Sequence, residues 1–127
     1  PPPDRQLALY DAAREALEAV TAALVPGRPV GEAFDAHATV LDRHGLAAHR
    51  LNACGYSLGT TFAPNWMDWP MLYHGNPVLA APDMVFFLHM IIFDSDAGVA
   101  MTLGETVRVT DTTPERLSRS SLDMIRK

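Results

Sequence analysis

A chain of 127 residues with 48% hydrophobic and 20% charged side chains has the length and make-up of one globular domain with a buried core, which excludes a disordered chain. A formal net charge of −5, with a single lysine, excludes a basic nucleic-acid footprint and any partner chosen for negative charge. No apolar run reaches the roughly 18 residues of a membrane span, and the opening PPPDRQ lacks the regions of a signal peptide. Cys54 stands alone, so an internal disulfide is excluded and a reducing, cytoplasmic setting is expected.

Pro1 to Pro3 read as extended, and Asp4 as the N-cap of a helix running to about Leu24. Its buried stripe is expected at Leu7, Tyr10, Ala13, Leu17, Val20 and Leu24, which recur at three- and four-residue steps. Val25-Pro26-Gly27 stops it. A second helix is expected from about Gly31 to His44, closed by Gly45. Phe34, Ala38 and Leu41 make its inner stripe, which leaves His37 and His44 as solvated residues. No linker or internal repeat divides the chain, so residues 1–127 read as one unit.

From His49 to Pro82 the helical period is lost, and Gly, Pro, Asn and aromatic residues take over. This stretch reads as a long irregular loop whose aromatic residues line a pocket or cover the sheet. Met84 to Asp94 is an apolar, β-branched and aromatic run bounded by Pro82 and by Ser95-Asp96, which predicts a strand buried on both faces. Val99 to Asp111 alternates and reads as its antiparallel partner, joined by a turn in which Asp94 and Asp96 serve turn geometry rather than a metal. Thr113-Pro114-Glu115-Arg116 reads as a helix start, followed by a tail in which Ser118 to Ser121 lack order.

A symmetric turn sets His89 opposite Gly104 on one face. The imidazole then faces a space that a side chain at Gly104 would have filled; the competing reading is a core histidine satisfied by a backbone carbonyl. Cys54, five residues from His49, reads as a small buried residue rather than a nucleophile.

The order of helix, Pro-Gly, helix, Gly-Tyr-Ser-Leu-Gly, irregular loop, Met-Val-Phe strand and Gly-Glu-Thr-Val strand resembles the C-terminal half of the pita-bread catalytic domain. That is the fold of the methionine aminopeptidase, aminopeptidase P, prolidase and creatinase superfamily. The resemblance covers roughly Pro2 to Arg119 and implies an α/β (α+β) fold in which two helices back a curved, mainly antiparallel sheet.

By this resemblance Tyr56 stands where the metallopeptidases place a histidine ligand, while His89 and Gly104 stand where they place glutamate ligands. Ala63 takes the place of the family's assisting histidine. The two aspartate ligands would precede Pro1, in an upstream half-domain. Two hard divalent cations need bridging carboxylates, and none stands at these positions, so no metal and no other cofactor is expected.

The motifs are most similar to the metal-free creatinase and ectoine hydrolase-type branches, which implies hydrolysis of a non-peptide C–N bond in a small, nitrogen-rich substrate. On that reading His89 is the general acid/base and Tyr56 donates to developing negative charge. Trp66 and Trp69 form an aromatic wall with Asp68 as counter-charge, and Asn65 and His74 complete the substrate-binding set. The implied partners are a small-molecule substrate, a second copy of the chain and the upstream half-domain, with no nucleic acid and no membrane. Two other readings stay open: a non-catalytic family member kept for binding or assembly, and an Xaa-Pro metallopeptidase that takes zinc, manganese or cobalt.

Overall fold

The computed structural model describes residues 2–59 and 61–125; Pro1, Thr60, Arg126 and Lys127 lie outside the described residues. Helix α1 spans Asp4–Ala23 and α2 spans Gly31–Arg43. The strands are β1 (Ala53–Ser57), β2 (Asp68–Tyr73), β3 (Val85–Asp94), β4 (Val99–Arg108) and β5 (Glu115–Arg116). They form one antiparallel sheet in the order β2-β1-β3-β4-β5. Both helices pack on one face of this sheet, and the other face carries the candidate site.

α1 is rich in Ala, Leu, Glu and Arg with no Gly or Pro in its interior, so each turn adds helix propensity. Pro3 occupies the N-cap without a side-chain hydrogen bond. Asp4, expected as the cap, is the first helical residue, where its charge favours the helix N-terminus. The buried ridge is Leu9, Ala12, Ala13, Ala16, Leu17 and Val20, with Leu7 and Tyr10 only half-buried. Three alanines in that ridge bring the α1 backbone close to α2, β3 and β4 at once.

α2 corrects the reading of His37. Ala33, Phe34, His37, Val40 and Leu41 share one buried face, and His37 is 1% exposed. It sits three residues after Phe34 and four before Leu41, in the centre of the stripe those two define. His44 is exposed as expected and pairs with Glu15 at 2.6 Å. The start of α2 lies against the end of β2, where a Cβ on Gly31 would come within 2.7 Å of the Asn76 backbone nitrogen. Asn76, fully buried, donates from Nδ2 to the Met71 carbonyl at 2.6 Å and accepts from the Val78 amide at 3.1 Å.

The stretch expected as irregular contains β1 and β2. Both are short, and their pairing is interrupted by register shifts around Tyr56, so neither shows clean alternation in the sequence. β3 and β4 pair in one unbroken register from Val85↔Arg108 to Asp94↔Val99, with His89 opposite Gly104. β3 is buried on one face only. Phe86, Leu88, Met90 and Ile92 face the helices, while Phe87, His89 and Ile91 are half-buried on the other side and Phe93 is exposed.

The hairpin turn uses Asp94 as expected. Its Oδ1 accepts from the Ala97 amide at 3.0 Å, and Oδ2 holds Arg5 of α1 at 2.5 Å. The Ala97 hydrogen bond, followed by Arg5, holds this carboxyl below the usual carboxylate range. Glu115 and Arg116, expected to open a helix, form β5 instead. Arg116 bonds the buried Glu105 at 2.7 Å and Arg108 bonds Glu115 at 2.7 Å, so ion pairs draw the segment onto the edge of β4. The tail beyond is tied down as well. Ser118 donates its amide to Glu105, Tyr10 donates to the Leu122 carbonyl, and Arg14 meets Asp123.

Candidate functional site

Strand alternation delivers three rings to the face of the sheet away from the helices. Tyr56 of β1 lies beside Phe87 of β3 with ring centroids 5.6 Å apart, and Phe87 lies 5.1 Å from His89. Beside this row is a hollow of about 220 Å³ bordered by Tyr56, Trp66, Met67, Met71, His89 and Ile91. His89 also borders a neighbouring hollow of about 260 Å³ with Phe93, Ala100 and Thr102.

The imidazole of His89 has no hydrogen-bond partner among the described residues. Burial pushes its pKa down from the ordinary value of 6.5, so it is neutral at pH 7 and able to accept a proton. The hydroxyl oxygen of Tyr56 accepts a hydrogen bond from the Trp66 indole at 3.1 Å.

The place beside Gly104 is not open. A Cβ built there would lie 2.6 Å from Cζ of Phe87, so the phenyl ring, one position before the histidine on its face of β3, fills the gap expected in front of the imidazole. Glu105 points to the core side, opposite His89. It is bound by Arg116 and by the amides of Thr106 and Ser118.

The other residues singled out in the sequence are not brought to this hollow. Asn65 accepts from the Met67 amide at 3.1 Å and so shapes the loop that carries Trp66. Asp68 accepts from the Trp69 amide, and Trp69 stacks at a tilt on Tyr73 with centroids 6.0 Å apart. His74 pairs with Asp35 at 2.7 Å on a separate hollow that also includes Phe34 and Arg50.

The sequence reading missed two features. Met67 and Met71 border the hollow, although nothing but their position beside Trp66 signalled it. His49 comes within 4.8 Å of Asp94 and Asp96 through their ligand-type atoms, where its Nδ1–H donates to the Phe93 carbonyl at 3.0 Å and Asp94 is already neutralised by Arg5.

The sequence model of metallopeptidase family M24 matches residues 1–111. The chain belongs to metallopeptidase family M24. No curated protein matches it. Among solved structures, the M24 chain is similar to dipeptidase PepE from Mycobacterium ulcerans, with a TM-score of 0.86 at 22% identity over 98% of this chain and 32% of that one. It is similar to the prolidase from Pyrococcus horikoshii OT3, with a TM-score of 0.87 at 18% identity over 98% of this chain and 35% of that one. It is also similar to the N-terminal domain of FACT complex subunit SPT16 from Cicer arietinum, with a TM-score of 0.78 at 18% identity over 95% of this chain and 30% of that one. These likenesses show the fold, a fragment of the pita-bread domain, and the chain spans about a third of the length of each of these proteins.

The family's description implies divalent cations, and the donors of this chain do not fit a pair of them. An imidazole and a phenol border the hollow, with no carboxylate among the described lining residues. The adjacent carboxylate, Glu105, is committed to Arg116 on the opposite face, and Phe87 occupies the side-chain place at Gly104. A pair of hard divalent cations needs bridging carboxylate charge, which a neutral ring and a phenol do not supply.

Proposed function

We propose that this M24 chain contributes to a hydrolase that cleaves a C–N bond in a small, nitrogen-rich substrate without a metal ion. The observation that carries the reading is His89, without a hydrogen-bond partner among the described residues on the open face of the sheet, its pKa lowered by burial, with a phenyl ring beside it where a carboxylate ligand would stand. His89 takes a proton from water as the water attacks the carbon of the C–N bond, and returns it to the departing nitrogen. Tyr56 donates to the oxygen or nitrogen on which negative charge develops, and Trp66 walls the hollow. The open face would be completed by the upstream half-domain or by a second copy of the chain.

The test is release of ammonia or amine by the full-length protein from a panel of cyclic amidines, guanidino acids and amides, with and without a strong chelator. Turnover is expected to be indifferent to the chelator and to fall by about 10²–10⁴-fold in His89→Gln. Loss of turnover on chelation with recovery on adding manganese or zinc refutes the metal-free reading. Full activity in His89→Gln refutes the role of the imidazole.

A second reading, a binding or assembly module, is favoured by one feature of the same face. Trp66 and Phe93 are 61% and 52% exposed, and residues 99–104 of β4 have no strand partner on their outer edge among the described residues. An apolar face next to a free strand edge suits docking of another chain or segment. Ligand binding that survives in His89→Gln, with no turnover by the natural protein, selects this reading.

A further inference from the structure

Trp66 does more than wall the hollow. We infer that it is a positioning residue: by donating its indole N–H to Tyr56 it turns the Tyr56 hydroxyl proton toward the hollow, which thereby selects an uncharged, carbonyl-bearing group over its cationic counterpart. This deepens the proposed function and rests on the hollow being the substrate site.

A phenol has one proton to donate. When its oxygen accepts from an N–H, as Tyr56 does from Trp66 at 3.1 Å, its own proton must turn away from that donor. No acceptor for that proton is present among the described residues. The hydroxyl is therefore a donor held in a set direction at the wall of a hollow, awaiting an acceptor from a ligand.

Charge decides which acceptor suits it. None of the described residues bordering the hollow is Asp, Glu, Lys or Arg, and burial lowers the pKa of its imidazole, His89, which favours the neutral ring. A cation entering here gives up water without meeting a counter-charge, and attraction to the Trp66 face replaces only part of that loss. Asp68, the counter-charge expected from the sequence, does not border the hollow. A neutral amide loses less on entry and gains the Tyr56 hydrogen bond, while its alkyl part meets Met67, Met71 and Ile91.

The experiment compares two probes that differ by one acetyl group, isobutylammonium and N-isobutylacetamide. Each is titrated into the full-length protein while the Trp66 and Trp69 indole N–H resonances are followed by NMR. Tighter binding of the amide by tenfold or more is expected, with a shift of the Trp66 resonance and none of Trp69. Tyr56→Phe should weaken amide binding by about three- to tenfold, the range of one neutral hydrogen bond. Trp66→Phe, which keeps a ring and removes the N–H, should weaken it by a similar factor, and so narrow the preference for the amide over the ammonium probe. The Trp66 indole resonance should also move in Tyr56→Phe without ligand, which a purely structural tryptophan would not show.

Equal or tighter binding of the ammonium probe, binding of neither probe, or a Trp66→Phe variant that binds the amide normally while Tyr56→Phe does not, overturns the inference. Variants are compared only where their thermal unfolding matches the natural protein, and Trp66→His, which restores an N–H donor, should recover part of the affinity if Trp66→Phe is unstable. Amide binding without turnover of any C–N substrate supports this inference while removing the hydrolase reading, so the two fail separately.

Discussion

Substituting Gly104 by alanine tests the packing on which the metal-free reading depends, because the sign of the effect reports whether the place beside His89 is filled. Were it empty, alanine would stabilise a strand by about 0.5–1 kcal/mol, because glycine costs that much more to order than alanine. In this structure the new Cβ would stand 2.6 Å from Cζ and 3.1 Å from Cε2 of Phe87, and 3.5 Å from the Leu88 carbonyl oxygen. Carbon atoms rest at about 3.5–4.0 Å, so the ring must move by close to an ångström. Overpacking of this kind costs about 1–3 kcal/mol. Phe87 is half-buried and able to swing partly outward, which places the cost in the lower half of that range.

Set against the backbone gain, a net loss of about 1 kcal/mol is expected, or a fall in Tm of about 3–6 °C for a domain of this length. Urea unfolding followed by circular dichroism measures it for Gly104→Ala, Phe87→Ala and the double variant. With the ring removed, alanine at 104 should become neutral or stabilising. Stabilisation by Gly104→Ala while Phe87 is still present would show the site to be open, and the argument that a phenyl ring has taken the place of a ligand would fall.

Three further outcomes follow from buried polar groups. Burial, and secondarily the charge of Arg50, push the pKa of His37 down to about 4. The unfolded chain therefore binds a proton first as the pH falls; stability is whole above about pH 6.5 and declines by about 1.4 kcal/mol per pH unit toward pH 4, about 3 kcal/mol in all. His37→Leu should flatten that slope in the dependence of unfolding free energy on pH, and an unchanged slope refutes the assignment. Asn76→Ala strands the Met71 carbonyl and the Val78 amide, so a loss of about 2–4 kcal/mol is expected in denaturant unfolding, and a loss under about 1 kcal/mol counts against these two hydrogen bonds as a source of stability. Burial pushes the Cys54 thiol far above its ordinary range, so a disulfide reagent at pH 8 should label it only as the chain unfolds; rapid labelling of the native protein would contradict its burial.

The pieces legible in advance were the ones with strong local signals. α1 carries helix formers with no Gly or Pro in its interior, α2 carries apolar residues at helical spacing, the two end at Pro-Gly and Gly45, and the β3–β4 hairpin carries ten consecutive pairs whose register follows from the turn. β1 and β2 were not legible, because bulges around Tyr56 break the alternation that marks a strand. β5 was hidden for a different reason: its two residues are recruited by ion pairs to Arg108 and Glu105 on the neighbouring strand, while Pro114 reads locally as a helix start. His37 was misplaced by residue type, since a polar ring in mid-stripe was discounted although its spacing from Phe34 and Leu41 put it there.

For the site, the face shared by His89 and Gly104 follows from parity along two strands, a purely local rule. Membership of the hollow does not. Trp66 and Asp68 are two residues apart, yet one borders it and the other does not, because the route of the loop between β1 and β2 decides where each side chain ends.

The sequence by itself determined the fold family, the pairing of His89 with Gly104 and the lack of carboxylates at the matching positions, since residue identity and strand parity need no knowledge of distant contacts. Only the tertiary structure decided that Phe87 fills the place beside Gly104, that Glu105 is held by Arg116, and that Trp66 reaches Tyr56. Each of these depends on how a side chain is steered by neighbours from another strand or loop, and that steering is set by packing in three dimensions rather than by spacing along the chain.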